Sequence, residues 1–232
     1  MLLSTPAIVL HVFPYSDTSV IARVFTRQLG MRSYIIKGRG GSRGRLRQSL
    51  LQPLSPLDMV VYDNRRTQLN HVKELSSRRP DMAADPISAS LRFFAAEVLY
   101  KALREDEPMP ALFDYVDTLD LNLRPSQFPV TFLLRTAAHL GIEPMDNYSA
   151  ANPLFHLEEG RFVASPDELT LTADDSLLLH AHLAALHNST VPPAAALDRR
   201  QRLLDALIAY FQVHLSGFHN FKSSEILHEV LA

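Results

Sequence analysis

The first 75 or so residues alternate apolar and polar positions with the period of β-strands. Short runs rich in β-branched and aromatic residues, separated by turn-forming residues, predict strands over 7–13, 18–26, 31–36, 57–62 and 67–73. Asp63-Asn64-Arg65-Arg66 predicts the turn that pairs the last two runs as a hairpin. Five short strands without a helix-length repeat favour a small closed or partly open barrel, and the oligonucleotide-binding (OB) barrel is one such form.

Beyond Arg79-Pro80 the apolar residues recur at helical spacing. Asp85-Pro86 has the residue types of a helix start, with Asp as the N-cap and Pro at the first helical position. The pattern predicts helices over 87–103, 109–122, 127–140, 174–187, 195–215 and 223–231. An irregular stretch at about 144–166 contains two short runs, 154–157 and 161–164, that predict a small hairpin.

These elements predict an α+β protein with two domains. Residues 1–80 are expected to form a five-stranded OB-fold β barrel, and residues 81–232 a mostly α-helical domain that carries the irregular stretch. The longest apolar runs are too short for a membrane span, and the first residues lack the basic leading segment of a signal peptide. We therefore expect a cytoplasmic, nucleoid-associated protein without a membrane partner.

Charged residues are unevenly distributed along the chain. The net charge of the chain is −2, but residues 1–79 hold 13 Lys/Arg against 4 Asp/Glu, a balance of +9, which leaves −11 for the rest. No acidic residue occurs between Arg23 and Arg47. This asymmetry indicates a basic module for a polyanion. The residues expected to bind nucleic acid are Lys37, Arg39, Arg43, Arg45, Arg47, Arg23 and Arg27.

The glycines of the basic segment do not fit a mononucleotide site. Gly38 and Gly40 begin a dinucleotide fingerprint, but Arg43 occupies its third glycine position, and the order of a Walker loop is absent. Basic side chains on a bendable segment suit a nucleic-acid backbone, because they neutralise phosphates and release counterions. Barrel faces also stack unpaired bases on aromatic rings. The aromatic candidates for such stacking, each of a kind that is more often a core or rim residue, are Phe13, Tyr15, Tyr34 and Tyr62.

The sequence offers little for catalysis or metal binding. Cysteine is absent, which removes disulfides, thiolate zinc sites and cysteine nucleophiles, and no Gly-x-Ser-x-Gly elbow occurs. His180, His182 and His187 lie on one predicted helix, but their spacing differs from the i, i+4 pair of helical zinc sites, and they are interpreted as surface or rim histidines. We expect a non-enzymatic binding protein with no catalytic residue, no metal and no cofactor.

Four stretches of the chain resemble the RecO family of bacterial recombination mediators. Tyr15-Ser-Asp-Thr-Ser-Val-Ile, with Phe25-Thr26 and Gly30, is similar to the opening strands of the family. Ile36-Lys37-Gly38-Arg39 resembles its Lys-Gly-Ala-Arg segment, and Leu50-Leu-Gln-Pro-Leu54 the start of its fourth strand. The closing signature is matched by Tyr210, His214-Leu215, Lys222-Ser223 and Leu227. The order and spacing of these stretches cover nearly the full chain.

The resemblance implies an N-terminal OB domain and a helical C-terminal domain. It also implies binding of single- and double-stranded DNA, annealing of complementary strands, and help in loading RecA onto DNA coated by single-stranded DNA-binding protein (SSB). The implied partners are RecR and the acidic, hydrophobic C-terminal tail of SSB. Many relatives carry a four-cysteine zinc module, whereas the corresponding stretch here, about Pro144 to Pro166, has no cysteine. It resembles a zinc-less branch, in which packing and turns hold this stretch.

Two other functions agree with the same residues. An RNA-binding or ribosome-associated OB protein would also carry a basic barrel. A protein–protein adaptor would use the same basic surface to meet an acidic partner.

Overall fold

The computed structural model describes residues 2–37, 50–64, 67, 69–79, 85–121 and 124–230. The chain divides into two compact units, Met1–Asp120 and Leu121–Ala232. The first unit therefore contains the barrel and also the two helices that follow it. Among the described residues, no helix has both the length and the apolar character needed to cross a bilayer.

Five strands close the barrel in the order β1-β2-β3-β5-β4. Neighbouring strands are antiparallel except for β3 and β5, which are parallel. This arrangement confirms the predicted five-stranded barrel of OB type and the α+β class. The strands are β1 (Leu2–Ser16), β2 (Ser19–Thr26), β3 (Gly30–Lys37), β4 (Pro56–Tyr62) and β5 (Leu69–Ser77).

Alternate residues of each strand fill the interior of the barrel. Because side chains alternate between the two faces of a strand, the residues between them point outward. Tyr34 is fully buried in this interior, although its sequence context also allowed a surface position. The buried core consists of Ala7, Val9, Ala22, Val24, Tyr34, Ile36, Leu51, Leu57, Met59 and Val61.

Two helices, α1 (Pro86–Ala102) and α2 (Pro110–Asp117), complete the first unit. The predicted start of α1 is confirmed, since the Asp85 carboxylate accepts a hydrogen bond from the backbone N–H of Ser88 at 2.9 Å and Pro86 lies in the first turn. The helix ends at Leu103, whose backbone N–H bonds to the carbonyl oxygen of Leu99.

Both helices pack against the outside of the barrel through aromatic rings. Phe113 of α2 contacts Phe25 of β2, with ring centroids 5.4 Å apart and both side chains buried. Tyr100 of α1 stacks on His11 of β1, with centroids 5.2 Å apart and an interplanar angle of 28°. Part of the outer surface of β1 and β2 is thereby covered.

The described part of the second unit consists of helices and one small hairpin. Helix α3 ends at Gly141, which has a φ of +73° and so provides the left-handed stop that the sequence pattern predicts. The elements are α3 (Phe128–Leu140), β6 (Leu154–His156), β7 (Arg161–Val163), α4 (Ala173–His187), α5 (Leu197–His214) and α6 (Ser223–Val230).

The cysteine-free stretch is held by aromatic packing and by hydrogen bonds from side chains to the backbone. Phe155 and Phe162 of the predicted hairpin are buried against each other, with centroids 5.2 Å apart. The Asn147 amide both donates to the carbonyl oxygen of Phe162 (2.9 Å) and accepts from its N–H (2.8 Å). The Tyr210 hydroxyl of α5 donates to the carbonyl oxygen of Ile142 at 2.9 Å. Packing and hydrogen bonds of this kind shape the stretch.

Candidate nucleic-acid interface

The seven predicted nucleic-acid-binding residues are placed unequally. Lys37 is the last residue of β3, and its side chain is exposed. Arg39, Arg43, Arg45 and Arg47 lie outside the described residues. Arg23 and Arg27 lie on β2 and in the turn after it, and both have acidic partners in the segment 86–120.

Arg23 and Arg27 are bound to carboxylates of their own unit. The guanidinium of Arg23 lies 2.9 Å from the Glu105 carboxylate and over the Tyr100 ring, 5.5 Å from its centroid. Arg27 makes two parallel bonds to Asp114, at 2.7 and 2.9 Å. These bonds raise the pKa of Arg27 and lower the pKa of Asp114. Each arginine must open its ion pair before it can bind a phosphate.

Arg32, which was not among the predicted site residues, is less exposed than Arg23 and Arg27. Its side chain is 10% exposed and lies on the inward side of β3, where its Nε is 2.6 Å from an Asp106 carboxylate oxygen and its Nη1 is 3.7 Å from Asp63. Asp63, at the end of β4, is itself only 8% exposed. Arg32 therefore joins two barrel strands to the segment that follows α1. Arg78, which follows β5, forms an ion pair with Asp117, the last residue of α2.

These pairs change the interpretation of the charge asymmetry. Residues 1–79 are strongly basic, but the compact unit continues to Asp120 and so includes a mainly acidic stretch. The whole unit holds 16 Lys/Arg and 13 Asp/Glu, a balance of +3, and the second unit has a balance of −5. The sequence boundary at Arg79 therefore overstates the basic character of the first unit. In the sequence, five of its 16 basic residues, Lys37, Arg39, Arg43, Arg45 and Arg47, lie within eleven positions that hold no acidic residue.

The four aromatic candidates separate into buried and exposed residues. Tyr34 is inside the barrel, where burial raises the pKa of its hydroxyl to about 12, so it is not available for stacking. Phe13 is half-buried and contacts His11, with centroids 4.3 Å apart. Tyr15 and Tyr62 are 56% and 51% exposed. The sequence pattern did not separate these cases, because all four lie on strands or at their ends.

The histidine cluster on α4 does not form one site. His180 bonds to Asp146 at 2.6 Å and His187 to Glu143 at 2.9 Å, as expected for rim histidines. The surface interpretation is wrong for His182, which is 4% exposed and whose pKa is lowered by burial to about 4. Within the described ranges, no group of three or more His, Asp or Glu side chains has an arrangement suited to a metal ion.

The fold and the placement of the charges define an OB-barrel protein with a helical second unit. A family model described as "Recombination protein O N terminal" matches residues 1–80, the span of the barrel. A DNA repair protein RecO of Porphyromonas gingivalis is 32% identical over 248 residues, covering 98% of each chain. Those of Flavobacterium psychrophilum and Phocaeicola vulgatus are each 28% identical, over 239 and 250 residues, and cover 100% of each chain. The chain belongs to the RecO family of DNA repair proteins, and its role lies in DNA repair and recombination.

Proposed function

We propose that the protein is a non-enzymatic recombination mediator that binds single- and double-stranded DNA and anneals complementary strands. The observation that carries the proposal is an OB barrel whose third strand ends where the basic stretch of the sequence begins. β3 ends at the exposed Lys37, and the sequence then continues with Arg39, Arg43, Arg45 and Arg47. These five residues are the proposed principal phosphate contacts. Arg23 and Arg27 would contribute only when their pairs with Glu105 and Asp114 open.

Annealing follows from charge neutralisation on such a surface. Two strands that approach each other repel through their phosphates, and a cationic segment that neutralises part of this charge lowers the repulsion. Contacts to phosphates do not engage the edges of the bases, so the bases remain free to pair. The expected partners are RecR and the acidic, hydrophobic C-terminal tail of SSB. With them, the protein would assist loading of RecA on SSB-coated DNA.

The test is annealing of complementary oligonucleotides coated with SSB, by the full chain, with and without RecR. We expect the protein to accelerate annealing and the acceleration to fall steeply as salt is raised, because phosphate contacts release counterions. No acceleration at low salt, with a folded protein, would contradict the proposal.

Competition between DNA and RNA of the same sequence separates this function from its alternatives. We expect single-stranded DNA to compete at least as well as RNA. A strong preference for RNA would favour a ribosome-associated or RNA-binding role. No binding of either nucleic acid near 0.15 M salt would favour a protein–protein adaptor, and capture of purified RecR would then identify its partner.

A further inference from the structure

The strand register aligns four side chains on the outside of the barrel. Leu2 of β1 is paired with Tyr62 of β4, and Tyr62 is paired with His71 of β5. His71 is in turn paired with Ile35 of β3. Directly opposed residues of neighbouring strands have Cβ atoms about 4.5–5.5 Å apart. Leu2, Tyr62, His71 and Ile35 therefore form one continuous line across four strands, called the outer row below.

The outward direction of the row follows from the burial of its neighbours. Val61, Asn70 and Tyr34 each precede a member of the row on its strand, and all three are buried. Because successive side chains of a strand point to opposite faces, Tyr62, His71 and Ile35 point away from the core.

One end of the row is open and the other is covered. Leu2 and Tyr62 are 48% and 51% exposed, and His71 is also exposed. Ile35 is also paired with Ile21 of β2, and Ile21 with Phe13 of β1, so the register continues the row to Phe13. Phe13 lies beside Tyr100 of α1, with ring centroids 6.4 Å apart. The accessible part is therefore the tyrosine and imidazole end.

Positive charge lies on the same side of the barrel. Lys37 is exposed two residues beyond Ile35 on β3, which places both side chains on one face of the strand. An exposed ring beside cationic side chains is the combination with which proteins hold unpaired bases, since every base has a face that stacks.

We propose that the outer row is a stacking platform for the unpaired bases of a single DNA strand. Tyr62 and His71 contact successive bases, and Lys37 contacts the adjoining phosphate. The inference rests on the proposed DNA binding and adds to it the face of the barrel that is used. OB barrels commonly bind oligonucleotides on the face of strands 2 and 3. Here α2 and the segment before it cover part of that face at Phe25 and Arg23.

The test compares an oligothymidine with an abasic strand of equal length, which has the same phosphates but no bases. Binding to the full chain is measured by fluorescence anisotropy. Tyr62→Ala combined with His71→Ala should weaken oligothymidine binding by roughly thirtyfold or more, the loss expected when the stacking of two bases is removed. Binding of the abasic strand and the salt dependence of binding should stay as in the wild type. Tyr62→Phe retains a ring and should retain the affinity.

The matched control is Phe93→Ala, which removes an aromatic ring of similar exposure (56%) from α1 instead of from the barrel. It should leave both affinities unchanged. Unchanged oligothymidine binding in the double variant, or an equal loss for both strands, would overturn the stacking platform while DNA binding itself stands. A wild-type protein that binds neither strand would instead overturn the proposed function.

A second measurement does not depend on variants. A strand that carries 5-iodouracil, cross-linked to the wild-type protein by light, should attach to the peptide that contains Tyr62 or to the one that contains His71. Attachment only to peptides of α1 or α2 would overturn the proposal.

Discussion

The two outer faces of the barrel differ in what contacts them. One face, formed by β1, β2 and the turn after β2, is called the covered face below. Aromatic contacts and arginine–carboxylate pairs bind it to the segment 86–120. On the other face, the outer row leaves Tyr62 and His71 exposed. Both faces carry basic residues in the sequence. An arginine therefore adds to the polyanion-binding charge only if no carboxylate of its own unit already holds it.

The largest expected effect comes from Gly30, which lies at the start of β3 against the backbone of the segment 86–120. Gly30 has a φ of +71°, and a Cβ atom there would overlap the backbone of Glu107. Gly30→Ala should lower the free energy of unfolding by about 2–5 kcal/mol, because a left-handed conformation and a steric overlap both oppose the side chain. Urea-induced unfolding followed by circular dichroism measures this decrease.

Gly141→Ala is the matched control. Gly141 has nearly the same backbone conformation, with a φ of +73°, but a Cβ atom there would meet nothing within 4 Å. Gly141→Ala should lower the free energy of unfolding by only about 1–2 kcal/mol, the cost of the left-handed conformation alone. Equal decreases for the two variants would mean that the close approach of Glu107 does not constrain Gly30.

The next effect tests the ion pairs that join the barrel to the segment 86–120. Arg32→Met removes a cation that lies 3.7 Å from the Asp63 carboxylate, whose side chain is only 8% exposed, and 2.6 Å from Asp106. The free energy of unfolding should fall by about 3 kcal/mol. Arg27→Met should have a much smaller effect, because Arg27 and Asp114 are 43% and 53% exposed and solvent screens their pair. A larger decrease for Arg27→Met would contradict this ranking.

The fold could be predicted from local sequence patterns to a large extent. Alternation in the first part of the chain predicted five strands, and Asp85-Pro86 and Gly141 marked helix ends that the structure confirms. These signals are local, because they depend on a residue and its near neighbours. The existence of the small hairpin around Gly160 was also predictable in this way.

The site was less predictable, because its features depend on residues distant in the sequence. Arg27 and Asp114 are 87 positions apart, and nothing near either residue indicates the pair. Tyr34 and Tyr62 have similar strand contexts, yet one is inside the barrel and the other outside. The alignment of Tyr62 with His71 and Ile35 requires the strand register, which a single sequence does not determine.

The basic segment that begins at Lys37 should control binding of DNA and not stability. Replacing Lys37, Arg39, Arg43 and Arg45 together by Ala should lower the affinity for single-stranded DNA by about tenfold or more near 0.15 M salt. The slope of log K against log salt should become shallower by up to about 2.8, or 0.7 for each phosphate that is no longer neutralised. Anisotropy titrations over a range of salt concentrations measure both quantities.

A pair of double variants controls for net charge. Lys37→Ala/Arg39→Ala and Arg104→Ala/Arg161→Ala change the charge equally, and Arg104 and Arg161 are exposed residues elsewhere in the chain. Only the first pair should weaken binding and flatten the salt dependence. The same result for both pairs would show that overall charge, and not the basic segment, determines affinity.

The smallest expected effect would convert part of the covered face into a binding face. Asp114→Asn removes the carboxylate that holds Arg27, so that its guanidinium becomes available for a phosphate. Affinity for single-stranded DNA should rise by about two- to threefold, and the salt slope should steepen by up to about 0.7, as expected when one more phosphate is neutralised. Asp198→Asn, which removes an exposed partner of Arg202 in the second unit, makes the same change in net charge. If both variants raised the affinity equally, release of Arg27 would not be the cause. A rise confined to Asp114→Asn would show that the two faces differ in binding because carboxylates neutralise the arginines of one of them.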